Sequence, residues 1–234
     1  MPRNGFPKGT NEPRGPGGPA LFADVPHYRQ TLTFTCGPAS LLMVMRGFDP
    51  ESSFDRLSEL RLWKEATSIF SGSAHGGCGA LGLALAAHRR GYEAEVFVNH
   101  RGVLLVDRAR QAEKREVMRI LQDSDLAAAA EAGIPVTYKA LNVGGIEEKL
   151  RQGYLPIVLV STAYVHGDRD PHWVVVTGFD GASIYINDPW VSLDQGKTAA
   201  DMTNKAIPRR EFDRMARYGK VKEKAAVCVR PSVK

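Results

Sequence analysis

Cysteine is scarce in this chain. There are three among 234 residues, Cys36, Cys78 and Cys228. An odd, scattered set does not make a disulfide framework, so a reducing cytoplasm is the expected compartment. No CxxC pair is present, and His75 with Cys78 finds no second Cys/His pair to complete a zinc site, so no metal and no cofactor is expected. No apolar run approaches the ~18 residues of a membrane span. The opening MPRNGFPKGT lacks the apolar centre of a secretory signal. Charge of one sign is not in large excess either. The net charge is +5 and the pI about 9.1, with much of the excess near the ends, in RNGFPKG, PRREF and KVKEK. No RNP motif, zinc-finger spacing or long basic helix accompanies it, so nucleic acid is not an expected partner.

What remains is an ordinary globular composition, 43% hydrophobic and 24% charged, long enough for one sizeable core. Residues 1–21 are dominated by Pro and Gly without a period and read as a disordered arm. Residues 22–234 read as one domain without internal repeats. Apolar residues wrap most of the stretch from Cys36 to Gly47, which predicts a buried helix with Pro38 in its first turn. FDRLSELRLWKEATSIF predicts an amphipathic helix over 54–70. A glycine-rich turn, SGSAHGGCG, leads to a third helix that Gly91 stops. YEAEVFVN reads as a strand, residues 110–133 as a helix, VTYKAL as a strand and GIEEKLRQGY as a short helix. PIVLVST, HWVVVTGF and SIYIND read as strands, the last two joined through a turn at Asp180-Gly181. RREFDRMARYG suggests a helix and AAVCVR a closing strand. Helices come first and strands later, which is the α+β signature, with helices packed on a C-terminal antiparallel sheet.

The chemistry gathers around QTLTFTCGPAS, residues 30–40. A thiol attacks as its thiolate, and a helix N-terminus favours that form. Cys36 stands where the buried helix should begin. Of the six histidines, His88 lies beside Arg89 and Arg90 and reads as surface, and His100 and His166 lie in polar loops. His172 opens the strand HWVVVTGF, which can hold an imidazole as a base. A three-residue loop at Phe179-Asp180-Gly181, without a bulge, would oppose Gly178 to Ala182 and His172 to Asp188, giving the base an orienting carboxylate. The side-chain amide of Gln30 and the backbone N–H of Cys36 could bind an oxyanion. Together Gln30, Cys36, His172 and Asp188 form a set for thiol-based acyl transfer.

At Gln30, Cys36-Gly37-Pro38, His172-Trp173-Val174-Val175-Val176 and Asn187-Asp188-Pro189 the sequence resembles the bacteriocin-processing, double-glycine-leader cysteine peptidases of the papain-like superfamily. Over roughly residues 22–230 it resembles a stand-alone bacterial group of such domains. HYRQTLTFTCGPASLLM, ELRLWKEATSIF, HGGCGALGLALAAHRRG, PHWVVVTGFDG and NDPW carry that likeness. The resemblance implies a papain-like fold, with Cys36 as nucleophile, His172 as base, Asp188 as orienter and Gln30 as oxyanion donor. It also implies a peptide or protein substrate, cleaved beyond small residues such as Gly-Gly.

Plainer readings stand beside these. Cys36 could be a buried structural thiol, His172 a strand-end residue, and Asp188 part of an Asn-Asp-Pro turn. Cys78 also precedes a glycine and a helix, but position 72, six before it, is glycine rather than glutamine. Gly76 and Gly77 are expected to border the substrate cleft, with Trp173 as core or cleft wall. Cys228 is expected in the core. Two other functions use the same residues: a peptidase-like module that binds a peptide without cleaving it, and an acyl or peptidyl transferase.

Overall fold

A helix that is apolar on nearly every side must be surrounded. The computed structural model describes residues 20–70 and 75–232, and α1 (Cys36–Phe48) is such a helix, with Gly37 through Met45 all buried. Before it lies a two-residue strand, β1 (Leu21–Phe22). Most of the Pro/Gly arm expected over 1–21 falls outside the described residues, as do residues 71–74 of the glycine-rich turn.

α2 (Arg56–Ala66) is capped by Asp55, whose carboxylate accepts from the Ser58 N–H at 2.9 Å. The sequence pattern carried this helix to Phe70, and that expectation is corrected. The chain leaves the helix at Ala66, and Thr67–Ile69 form β2, paired with β3 (Gly77–Cys78). β-Branched Thr67 and Ile69 suit extended backbone, and the Gly79 N–H donates to the Ala66 carbonyl at 3.2 Å, tying the helix end to the turn. α3 (Ala80–His88), β4 (Tyr92–Val98) and the long α4 (Ala112–Glu131) follow. The strand expected over 136–141 shrinks to β5 (Val136–Thr137). The chain turns away because Asn142 caps α5 (Val143–Arg151), its side chain accepting from the Gly145 N–H at 2.9 Å.

The remaining elements are β6 (Leu155–Ser161), β7 (Pro171–Phe179), β8 (Ser183–Asn187), α6 (Ala199–Met202), β9 (Lys205–Pro208), α7 (Arg209–Met215) and β10 (Ala225–Pro231). Among the described residues eight strands form one sheet, in the order β5-β4-β10-β6-β7-β8-β9, with β1 added to the end of β7. All pairings are antiparallel except β4 with β5. The class is α+β, but the sheet is less strictly C-terminal than the pattern suggested, since β1, β4 and β5 join it from earlier in the chain. α1 packs against β7, where the Ser40 hydroxyl donates to the Trp173 carbonyl at 3.1 Å. No helix among the described residues is long and apolar enough to cross a membrane.

The β7–β8 hairpin departs from the expected register. Phe179 opposes Ile184 and Gly178 opposes Tyr185, so Gly178 does not face Ala182. Asp180 closes a longer turn, its carboxylate accepting from the Ala182 and Ser183 N–H groups at 2.8 and 2.7 Å. A register shift between Val176 and Gly178 then sets Val176 opposite Ile186 and Val175 opposite Asn187. Continued one step, that register brings Asp188 opposite Val174, on the face that His172 shares, because side chains two apart on a strand point the same way. Without the shift Asp188 would fall on the other face. Gly178 is required here. A Cβ on it would sit 2.6 Å from the Leu21 carbonyl oxygen, where β1 crosses.

Candidate active site

Cys36 begins α1 and is partly exposed, whereas Cys78 and Cys228 are buried. Burial pushes both of those thiols well above the ordinary range, for Cys78 with the neighbouring Cys36 sulfur adding to it. His172 is the second residue of β7 and is buried. Its Nε2–H donates to Asp188 Oδ1 at 2.6 Å. The Cys36 side chain is its other hydrogen-bonding partner. Burial alone would lower the imidazole pKa. The Asp188 carboxylate and then the Cys36 sulfur outweigh it and push the value up from 6.5 to about 10.

Asp188 lies just past the end of β8 and is fully buried. Its backbone N–H donates to the Met202 carbonyl at 2.9 Å, and its carbonyl accepts from His27 Nε2 at 2.7 Å. Oδ1 also accepts from the Trp190 N–H at 2.9 Å. Burial would raise this carboxyl, but the His172 and His166 imidazoles hold it well below the usual carboxylate range.

His166 lies in a loop, as read from the sequence, but its side chain joins the site, which that reading left out. Its Nε2–H donates to Asp188 Oδ2 at 2.9 Å, and its Nδ1 meets the Ser192 hydroxyl at 3.3 Å. The loop over 162–170 is closed at its base by Thr162 and Asp170, which exchange hydrogen bonds of 3.1 and 2.9 Å. That closure folds His166 back over the carboxylate. No periodicity in the sequence signals it. The ligand atoms of His166, His172 and Asp188 lie within 4.8 Å of one another, close enough to hold a metal ion. In this arrangement each carboxylate oxygen already accepts an imidazole N–H, so the polar groups are satisfied as they stand.

Gln30 is buried. Its backbone N–H donates to the Pro189 carbonyl at 2.9 Å, which joins the segment before α1 to the segment after β8. Its side-chain amide donates to the Leu32 carbonyl at 2.7 Å. An amide nitrogen carries two hydrogens, so a second donor remains.

The other sequence candidates occupy different positions. Trp173 lies beneath the site, 3% exposed, with its indole N–H donating to the Cys78 carbonyl at 3.0 Å. It braces β3 against β7 with its ring buried. The Gly76 carbonyl accepts from Trp63 Nε1 at 2.6 Å. A Cβ on Gly76 would sit 2.4 Å from Thr67, whereas one on Gly77 would meet nothing within 4 Å. Phe34 packs on His75 and Trp63 at centroid distances of 4.5 and 5.1 Å, linking this loop to the residues before Cys36. An apolar cavity lined by residues such as Ile69, Leu81, Val96 and Met118 includes none of Cys36, His172, Asp188 or Gln30.

Residues 25–230 match the family model described as Peptidase_C39 like family. The chain belongs to this family. No curated protein matches it. Among solved structures, a C39-like peptidase from Bacillus anthracis aligns at 13% identity over 92% of this chain and 99% of that one, with a TM-score of 0.51. A double glycine motif protease from an AMS/PCAT transporter, crystallised with the leader peptide, aligns at 20% identity over 90% and 94%, TM-score 0.48. The peptidase domain of Streptococcus ComA, a bifunctional ABC transporter of a quorum-sensing pathway, aligns at 17% identity over 88% and 97%, TM-score 0.47. The C39-like fold of the chain is thus shared with the Bacillus anthracis protein.

Proposed function

We propose that this C39-like chain is a cysteine peptidase with Cys36 as nucleophile, His172 as base and acid, Asp188 as orienting carboxylate, and Gln30 with the Cys36 N–H as oxyanion donors. One observation carries the reading. His172 gives Nε2 to a buried carboxylate and has the partly exposed Cys36 side chain at the start of α1 as a second partner. That is the geometry of an activated nucleophile with an oriented base.

In the reaction, His172 already carries a proton at neutral pH and the Cys36 Sγ attacks the scissile carbonyl carbon as the thiolate. The carbonyl π pair moves to oxygen, and the oxyanion accepts from the Cys36 N–H and the free Gln30 amide hydrogen. His172 then gives its proton to the leaving nitrogen as the C–N bond breaks, leaving a thioester on Cys36. Water attacks that thioester with its proton going to His172, the C–S bond breaks, and the starting thiolate and protonated imidazole are restored. Asp188 stabilises the imidazolium through both stages. The substrate is a peptide, and cleavage beyond small residues such as Gly-Gly is supported by family membership together with the motif resemblance. The open space at Gly77 beside Cys78 is compatible with a peptide backbone lying there.

Iodoacetamide labelling resolved cysteine by cysteine by mass spectrometry tests the assignment. Cys36 is expected to label first below about pH 7, and His172→Ala to slow it. Labelling of Cys78 ahead of Cys36, or no response to His172→Ala, would overturn the roles. Cys36→Ala should abolish turnover of a Gly-Gly amide. A wild type that binds this amide without turning it over would be a binding module instead.

A further inference from the structure

Glu59 looks from the sequence like one more acidic residue on an amphipathic helix. It is completely buried, in the first turn of α2. No cation among the described residues pairs with it. Its carboxylate accepts four hydrogen bonds, from Tyr28 Oη at 3.1 Å, the Thr31 N–H at 2.8 Å, Thr31 Oγ1 at 2.7 Å and Thr35 Oγ1 at 2.5 Å. Two carboxylate oxygens offer about four acceptor sites, so Glu59 is saturated. Every donor comes from residues 28–35, the segment that carries Gln30 and ends at the residue before Cys36.

Thr35 is the telling member. It is the N-cap of α1, and threonine there ordinarily turns its hydroxyl onto the first-turn N–H groups. In this helix the N-cap makes no side-chain cap. The hydroxyl points to Glu59 instead, and a charged acceptor at 2.5 Å is the stronger partner. The same hydroxyl accepts from the Leu32 N–H at 3.3 Å, so it ties the strap to the residue before Cys36. The Leu32 carbonyl, which takes the Gln30 amide, also accepts from the Thr35 N–H at 3.3 Å. Both oxyanion donors therefore hang on the strap that Glu59 holds.

We infer that Glu59 is a positioning residue for the oxyanion-binding side of the site: it fixes the 28–35 strap that carries Gln30 and leads into Cys36. This rests on the assignment of Cys36 and Gln30 above. Replacing Glu59 by Gln removes the charge and one of the two acceptor oxygens, so the Tyr28 and Thr31 hydroxyls must turn round to accept from the amide. That loosens the strap, and with it the positions of Gln30 and of the Cys36 N–H.

Two thiol probes separate this role from general damage. A Gly-Gly aldehyde adds reversibly to Cys36. The S–C bond forms, the carbonyl π bond breaks, and the new hydroxyl oxygen takes the oxyanion position. Iodoacetamide alkylates the same sulfur by displacing iodide and needs no oxyanion donor. Glu59→Gln is expected to weaken aldehyde binding by roughly 10–100-fold while the alkylation rate at Cys36 changes by less than about threefold. Should Glu59→Gln fail to fold, Thr31→Val removes a single donor and should show the same selective loss, several-fold in size. Unchanged aldehyde binding in a folded variant overturns the inference. So does an equal fall in both readouts, because a merely structural residue would move both. If wild type itself binds the aldehyde no better than Cys36→Ala, the assignment of the site fails, and this inference with it.

Discussion

His166 and His172 hold opposite oxygens of one carboxylate, at 2.9 and 2.6 Å. The two rings are almost perpendicular, at 84°, so they fix Asp188 in two directions. A carboxylate with one partner can still swing. With a second imidazole on Oδ2 and the Trp190 N–H on Oδ1, this one is immobilised before substrate arrives.

Removing the second imidazole should therefore cost rate as well as stability. His166→Ala leaves Oδ2 buried without a partner, a penalty of about 1–3 kcal/mol. The expected result is a lower melting temperature and a kcat reduced about 10-fold with KM little changed. Asp188→Asn should cost more, on the order of 10²–10⁴ in kcat. Steady-state kinetics on a Gly-Gly amide compares the two, and an unchanged kcat in folded His166→Ala would remove His166 from the positioning of Asp188.

Stability should fall on the alkaline side. The His172 pKa is raised from 6.5 to about 10, so the folded state binds the extra proton between those values. Its contribution is complete below 6.5 and is lost as pH rises through 10. The slope from one such group is at most about 1.4 kcal/mol per pH unit. Asp188 acts in the other direction. Its folded value lies below the ordinary 3.8, so its contribution is present above that pH and lost as the solution becomes more acid. Urea denaturation of wild type and His172→Gln across the alkaline window should show a flatter dependence in the variant. Equal slopes would show that the alkaline loss arises elsewhere.

The two adjacent glycines should answer differently to the same change. Gly76→Ala forces a methyl to 2.4 Å from Thr67 and 2.9 Å from Phe70. Overpacking of this kind costs about 1–3 kcal/mol. Gly77→Ala meets open space and should leave the melting temperature nearly unchanged. If Gly77 borders the cleft, its variant should instead raise KM for the Gly-Gly amide. Thermal melts and kinetics on both variants read the difference.

Cys78→Ala should separate packing from chemistry. The thiol is 3% exposed and sits against the start of α1. Its loss should destabilise by about 1–2 kcal/mol through the small void left behind, with Cys36 labelling retained. Loss of Cys36 labelling in the folded variant would give Cys78 a larger part than packing.

Much of the frame was readable because strong local signals agreed. α1 announced itself by apolar residues on every side after a helix-compatible Gly-Pro, and β6, β7 and β10 by short apolar runs rich in Val. The end of α2 was not readable, because Thr67-Ser68-Ile69 continues a plausible helical pattern and only pairing with Gly77-Cys78 makes it a strand. The proximity of Asp188 to His172 was anticipated through a register that does not occur. The register shift at Thr177, beside the crossing of β1 over Gly178, produces the shared face by another route. His166 and Glu59 were invisible for a common reason. Each is an ordinary polar residue in its own segment, and its partners lie 22 to 31 positions away in the chain.

β10 sits in the middle of the sheet, between β4 and β6, although it is the latest of the strands to be made. During synthesis the nucleophile segment emerges early, but the two halves of the sheet stay unjoined until residues 225–231 follow. A nascent chain stopped short of them keeps β4 and β6 as two exposed edges, open to pairing with other chains. Completion of the fold is thus delayed until translation has passed residue 231, and a truncated product is expected to aggregate before it can act on a peptide.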